Sequence, residues 1–235
     1  MINKKTEIEK VNFDEFAKQY EELLADQLDF FGEENSYFAK YKIKLVKDTV
    51  GFSPKSILEF GCGIGRNLKH ITQFFPEAEI YAADISIKSL EIARRENPTV
   101  NIFLLNEKEI TDKKGKFDMI FVSCVFHHIK PELRKDAFSG IYNMLKEDGA
   151  VYIFEHNPYN PVTRHIVNTC PWDTDAILLN MKETINLMKE SGLKTPQKEY
   201  SLFFPSQLKF LRPLENRMGK IPLGGQYYVK GVKTS

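Results

Sequence analysis

The stretch Ile57-Leu58-Glu59-Phe60-Gly61-Cys62-Gly63-Ile64-Gly65 runs an apolar segment into three glycines spaced by one residue each. Such a loop lets a ligand lie against bare backbone, and a helix that follows it presents its N-terminal N–H groups. The spacing is G-x-G-x-G with Arg66 next, not the G-x-G-x-x-G of a dinucleotide fingerprint. Glu59 narrows the ligand further, because a carboxylate at a strand end repels a pyrophosphate and suits a ligand that carries an ammonium and a sulfonium. Ala82-Ala83-Asp84-Ile85-Ser86 then ends a second apolar run. Asp84 stands about 20 residues beyond the loop, where a ribose-binding acid belongs, and a carboxylate can accept from both ribose hydroxyls.

A second group of residues could move a proton. His127 and His128 follow a later apolar run, and His156 follows another, with Glu155 and Asn157 beside it. A neutral imidazole is well matched to take a proton from an attacking hydroxyl. Adjacent residues point in different directions, so at most one of His127 and His128 is expected to face a pocket. The plain reading of either is a hydrogen-bonded loop histidine. His156 is the favoured base, with Glu155 or Asn157 fixing its tautomer, although Glu155 can equally cap a helix. Arg164 and His165 are candidates for an anionic acceptor, and a solvated helix face explains them equally well. The three cysteines lack the spacing of a zinc site or a redox pair, so the expected chemistry is metal-independent.

These residues must be held by alternating elements. Before them, Phe13, Phe16, Tyr20, Leu23 and Leu24 form one helical stripe, and Tyr37, Phe38, Tyr41 and Leu45 another, parted by a break over Asp29 to Asn35. From Ser56 short apolar runs alternate with helical segments, the pattern of βαβ units and a parallel sheet. Strands are expected at Ser56 to Phe60, Glu79 to Ala83, Val100 to Leu105, Phe117 to Cys124 and Ala150 to Glu155. Helices are expected at Asn67 to Phe75, Ile87 to Glu96 and Leu133 to Leu145. Beyond them the pattern predicts a helix from about Val162, another over Ala176 to Glu190, a strand at Lys198 to Phe204, a helix near Ser206 to Met218 and a strand at Gln226 to Val232.

Composition bounds the partners. Across 235 residues, 33 Lys plus Arg nearly cancel 32 Asp plus Glu, so no global field attracts a polyanion and nucleic acid is disfavoured. The start of the chain is polar and no apolar run approaches a membrane span. Widely spaced cysteines read as reduced thiols, and the expectation is a cytoplasmic protein with no membrane insertion. Oligomeric state is not legible.

Taken together, Glu59 to Gly65, Asp84-Ile85-Ser86 with Ala93 downstream, and Phe117-Asp118-Met119-Ile120 leading to His127-His128-Ile129 resemble the class I S-adenosylmethionine-dependent methyltransferases over about residues 37 to 232. The resemblance implies a Rossmann-like α/β fold, with a seven-stranded, mostly parallel sheet, the last strand antiparallel and helices on both faces. It implies a helical cap over residues 1–50 and a methyltransferase domain over 51–235 with substrate-binding insertions after the fifth strand. It further implies S-adenosyl-L-methionine as cofactor, with Gly61, Cys62, Gly63 and Gly65 along it, Asp84 on the ribose and Ile85 on adenine. Ser123 or Cys124 would approach the methionyl group. Many members carry an Asp after strand 3, where this chain has Asn106 and Glu107, so either of these would face adenine. Tyr37 and Tyr41 would be lid residues. The segment from Phe154 to Tyr227 is similar to a bacterial subgroup associated with cell-surface polysaccharide synthesis, which implies a small polar acceptor such as a nucleotide-linked sugar. The rival readings are a catalytically silent S-adenosylmethionine-binding partner subunit and a nicotinamide-dependent oxidoreductase.

Overall fold

The structure, a computed structural model, describes residues 31–204 and 206–234. The Phe13 to Leu24 stripe lies outside the described residues.

Helix α1 (Phe31–Thr49) leads into β1 (Ser56–Phe60), α2 (Leu68–Phe74), β2 (Glu79–Asp84), α3 (Ile87–Glu96), β3 (Asn101–Leu104), α4 (Glu107–Asp112) and β4 (Phe117–Ser123). A 3₁₀ turn at Phe126–His128 precedes α5 (Pro131–Met144) and β5 (Leu145–His156). Then come α6 (Pro161–Thr169), a 3₁₀ turn at Pro171–Asp173, α7 (Met181–Glu190), β6 (Lys194–Ser201), an irregular 3₁₀ segment at Ser206–Arg217 and β7 (Gln226–Val232).

The strands form one seven-stranded sheet in the order β3-β2-β1-β4-β5-β7-β6. Neighbours from β3 through β5 are parallel, and β7 runs antiparallel to both β5 and β6. Both faces are covered, which is why the central strands read as nearly unbroken apolar runs. Alternate residues serve opposite faces. Ala150, Tyr152 and Phe154 of β5 pack with Ile43, Val46, Leu68, Ile71 and Leu90 from α1, α2 and α3. Val151 and Ile153 pack with Phe138, Ile141, Ile185 and Met188 from α5 and α7.

Several expected boundaries move. Helix α1 already covers Phe31 to Asn35, inside the expected break. The helix expected from Ala176 begins only at Met181, because Asn180 caps it by accepting from the Glu183 amide, while Ala176 to Asn180 stay non-helical. The strand expected at Lys198 to Phe204 is shifted to Lys194–Ser201, and Leu202 takes a positive φ of 59° just past its end. The expected helix near Ser206 is a 3₁₀ segment kinked at Leu208 that also contains Pro213. Helix α4 was not expected at all; the Asn106 side chain caps it by accepting from the Glu109 amide at 2.9 Å.

Candidate functional site at the carboxyl edge of the sheet

Strands β1 and β4 are neighbours, and chain connections run outward from them in both directions. Such a switch point opens a crevice at the carboxyl ends of the strands. The loop after β1 enters it with Gly61, Gly63 and Gly65 at φ of 72°, 52° and 84°. A side chain at Gly61 would strike Val125, whose Cγ2 lies 2.4 Å from where a Cβ would stand, whereas one at Gly63 would meet nothing within 4 Å. The loop is therefore braced at its first glycine and open at its second. The amides of Gly61 and Cys62 both donate to the Ala83 carbonyl, which ties the loop to β2.

Asp84 is aimed from β2 into the same place. Its carboxylate accepts from the Gly63 amide at 2.8 Å and from the Ser86 amide at 2.9 Å, so both oxygens are oriented. Beyond it Ile85 and Ile87 are more than half exposed, an unusual state for two neighbouring aliphatic side chains and one that a flat apolar ligand would relieve. Asn106 and Glu107 stand exposed at the end of the adjoining β3, and the Asn106 amide oxygen is engaged as the α4 cap.

Glu59 is 1% exposed; one carboxylate oxygen accepts from the Asn67 amide at 2.6 Å, and the other, Oε2, is buried with no hydrogen-bond partner. Burial above all lifts its pKa from 4.5 to about 8, against the pull of the Asn67 hydrogen bond and the Lys42 charge. A buried, unsatisfied carboxylate oxygen beside an open glycine cradle fits a cationic ligand. Lys42, almost fully buried on α1, donates to Ser123 Oγ at 2.6 Å at the end of β4. Cys124 follows with a positive φ of 58°, its amide on the Phe154 carbonyl and its sulfur receiving the Gln226 side-chain amide. Non-glycine residues held there are strained and cluster at functional sites.

Glu59 also gives a stability test. A carboxyl whose folded pKa of about 8 lies above its unfolded value favours the fold while protonated. That contribution is complete below about pH 4.5 and is lost as pH rises through about 8. Glu59→Gln should therefore stabilise the ligand-free protein by about 2 kcal/mol at pH 7.5 and by little at pH 5. Urea unfolding at the two pH values checks this; equal effects at both would mean that Glu59 is ionised without strain.

The histidines gather on the β4–β5 side. Both His127 and His128 converge on Asp173 Oδ1, at 3.5 Å and 3.4 Å from their Nε2 atoms. The expectation that the two adjacent rings point in different directions is corrected, because the 3₁₀ turn at Phe126–His128 brings their ring centroids to 4.1 Å. His127 Nδ1 lies 2.7 Å from Glu155 Oε2, and His128 Nδ1 lies 3.2 Å from Asp175 Oδ1. Glu155 Oε1 also accepts from the amides of Val125 and Phe126, capping the turn. Burial alone would strip the charge from His127, but Glu155 and Asp173 outweigh it and raise its pKa. Glu155 is correspondingly held below the usual carboxylate range, with the His127 charge overcoming burial. His128 is lowered by burial and by the His127 charge.

His156 is not oriented as expected. Glu155 and His156 are consecutive in a strand and leave opposite faces, so Glu155 serves His127 instead. The Asn157 amide donates to the Pro222 and Gly224 carbonyls. His156 packs with its ring centroid 5.0 Å from that of His127, and burial, then the His127 charge, push its pKa down to about 4. Tyr37 and Tyr41 lie against the Ser206–Arg217 segment, with the Arg212 guanidinium 3.5 Å over the Tyr37 ring and Tyr41 bonded to Glu215. Arg164 and His165 are exposed on α6 and do not join this group. Sequence reasoning missed Lys42, Arg134, Asp173 and Asp175.

Residues 57–149 match the family described as methyltransferase domain. That stretch is thus similar to a methyltransferase domain, and the fold is the one seen in solved S-adenosylmethionine-dependent methyltransferases. Among relatives, the tRNA N(3)-methylcytidine methyltransferase of Drosophila melanogaster is 22% identical over 143 residues, covering 56% of this chain and 44% of its own. The malonyl-[acyl-carrier protein] O-methyltransferase of Legionella pneumophila is 31% identical over 81 residues, covering 32% of this chain and 28% of its own. The chain thus spans less than half the length of these curated relatives. A Thermotoga maritima structure described as a possible histamine N-methyltransferase superposes with a TM-score of 0.64 at 18% identity, over 94% of this chain and 97% of its own. No helix among the described residues is long and apolar enough to cross a membrane.

Proposed function

We propose that the chain transfers the methyl group of S-adenosylmethionine to an oxygen or nitrogen of a small polar acceptor, such as a nucleotide-linked sugar or another cell-envelope polysaccharide precursor. The observation that carries this reading is the joining of two groups at one sheet edge. One is the Glu59, Gly63 and Asp84 cradle after β1 and β2; the other is the histidine–carboxylate group after β4 and β5. In this reading Asp84 takes the ribose hydroxyls, Ile85 the adenine, Gly61 to Gly65 the backbone of the ligand and Glu59 its ammonium, with Ser123 and Cys124 near the methionyl group. The near balance of 33 basic and 32 acidic residues favours a small acceptor over a nucleic acid. Three free cysteines suit a cytoplasmic setting.

The bound cofactor supplies an electrophilic methyl group. The acceptor lone pair forms the new bond to that carbon as the carbon–sulfur bond breaks, S-adenosylhomocysteine leaves with the sulfur electron pair, and an acceptor hydroxyl passes its proton to a base. Most of the acceleration comes from alignment and exclusion of water.

The experiment is an acceptor screen with labelled methyl donor, set against nucleotide-sugars, bulk tRNA and acyl-carrier protein. Label should enter the nucleotide-sugar fraction. Label confined to tRNA or carrier protein would overturn the acceptor class, and cofactor binding with no transfer to any acceptor would favour the silent partner subunit. Asp84→Ala should weaken cofactor binding by roughly 1.5 to 3 kcal/mol, the scale of charge-assisted hydrogen bonds. Titration calorimetry reads this directly, and unchanged affinity would remove Asp84 from the ribose.

A further inference from the structure

We infer that His127, His128 and Asp173 form a site for a zinc-class divalent cation, with Glu155 and Asp175 orienting the two imidazoles. The donor atoms of the three lie within 4.8 Å of one another. The two Nε2 atoms stand 3.5 Å and 3.4 Å from the shared Asp173 oxygen. Those separations are long for hydrogen bonds, whose N···O distances centre on about 2.9 Å. These two separations match edges of a tetrahedron around zinc, because ligands at about 2.0–2.1 Å from the metal are about 3.3 Å from one another, and the two imidazoles need only close on each other to complete it.

The far side of each ring supports the same reading. His127 Nδ1 and His128 Nδ1 each face a carboxylate, Glu155 and Asp175, at 2.7 Å and 3.2 Å. That is the carboxylate–histidine–metal arrangement, in which the outer carboxylate holds the proton on Nδ1 and leaves Nε2 as the donor. Glu155 is itself fixed by two backbone amides, and His127 and Glu155 are at most 1% exposed. Three carboxylates meet two imidazoles here, an acidic set that a divalent cation would hold together. A proton shared by Glu155, His127 and Asp173 would account for His127 alone. It gives no reason for His128 to aim its Nε2 at the same oxygen. The sequence hid the site because its ligands come from two separate segments, neither with the spacing of a zinc motif.

Three protein ligands leave a fourth position open, and the site lies beyond the ends of β4 and β5. An acceptor oxygen bound there would lose its proton more readily. That consequence rests on the methyl-transfer reading; the metal site does not.

The test uses untagged full-length protein stripped with chelator. Zinc uptake is measured by calorimetry and by elemental analysis after desalting, without cofactor or acceptor. One zinc per chain is expected, and Co²⁺ in its place should give the intense visible absorption of a tetrahedral centre. Asp173→Asn and His128→Asn should each weaken zinc binding by at least 100-fold, and Asp175→Asn by about 10- to 100-fold. His165→Asn, an exposed imidazole on α6 outside the proposed set, should leave uptake intact. Absence of stoichiometric uptake by the wild-type chain overturns the proposal, whether or not the variants fold, as does undiminished uptake by a folded Asp173→Asn/His128→Asn double variant.

Discussion

Replacing Arg134 with Met is expected to cost roughly 3 to 5 kcal/mol of stability, the scale of several buried carbonyls losing their donor at once. Arg134 is 1% exposed on α5. Its Nε donates to the carbonyls of Phe126 and Ile129, its Nη2 to that of Ile177, and its Nη1 to Glu183 Oε1 at 2.6 Å. One planar fork thus joins the turn that carries His127 and His128 to the segment that follows Asp173 and Asp175. Met can fill the volume but leaves buried carbonyls without donors, at about 1 to 3 kcal/mol each. Lys should rescue little, having a single point of charge in place of the fork. At this chain length the melting temperature should fall by roughly 10 °C. Hydrogen exchange distinguishes a local staple from a general loss. The Ile177 amide, which donates to the His127 carbonyl, should lose protection in the variant before the β1 and β4 amides do. A variant that melts within 2 °C of the wild type, an arbitrary threshold of about 1 kcal/mol, would show that water replaces the guanidinium without penalty.

Arg134 also shows what can be read from a sequence and what cannot. Its spacing to Phe138 and Ile141 is that of one helical face, but an arginine there reads as solvated, so its burial was not legible. Its partners were not either, since they are carbonyls in turns and an acid on α7. The β-strands of the parallel half and the glycine loop were legible because burial on both faces and the left-handed glycines leave strong local patterns. Asp84 was legible for the same reason, as the end of a strand. The segment from Pro171 to Leu179 was misread because Asp and Thr suggest a helix start, whereas its backbone is spent on tertiary bonds. Ile177 pairs with His127 and Arg134, and the Leu179 carbonyl accepts from the Tyr227 hydroxyl. Tertiary demand of this kind overrides local propensity. Of the two readings of Glu155, the cap is the one the structure carries, on the 3₁₀ turn; the pairing with His156 fails because period-two alternation separates strand neighbours, and the imidazole that Glu155 holds comes from the loop after β4.

Replacing His156 with Ala is expected to lower kcat by about 10² to 10⁴, with cofactor affinity nearly unchanged, if the acceptor is a hydroxyl. His127 and His128 have their ring nitrogens turned to Glu155, Asp173 and Asp175, and an imidazole so engaged is poorly placed to collect a proton. His156 ends β5, beside His127 but outside that set of contacts. Burial and the neighbouring charge keep it neutral, which is the form that accepts a proton, though it makes for a weak base. Weakness is tolerable here. The proton moves only as the oxygen–carbon bond forms, when the acceptor oxygen becomes strongly acidic, and the imidazolium that results has Glu155 and Asp173 near enough to favour it. Asn at this position keeps polarity and much of the volume but cannot take the proton, so His156→Asn should match His156→Ala in kcat. Recovery of activity by Asn would make His156 a positioning residue. Near-full activity in both variants would mean that transfer rests on alignment alone, as an unprotonated amine or an anionic acceptor permits.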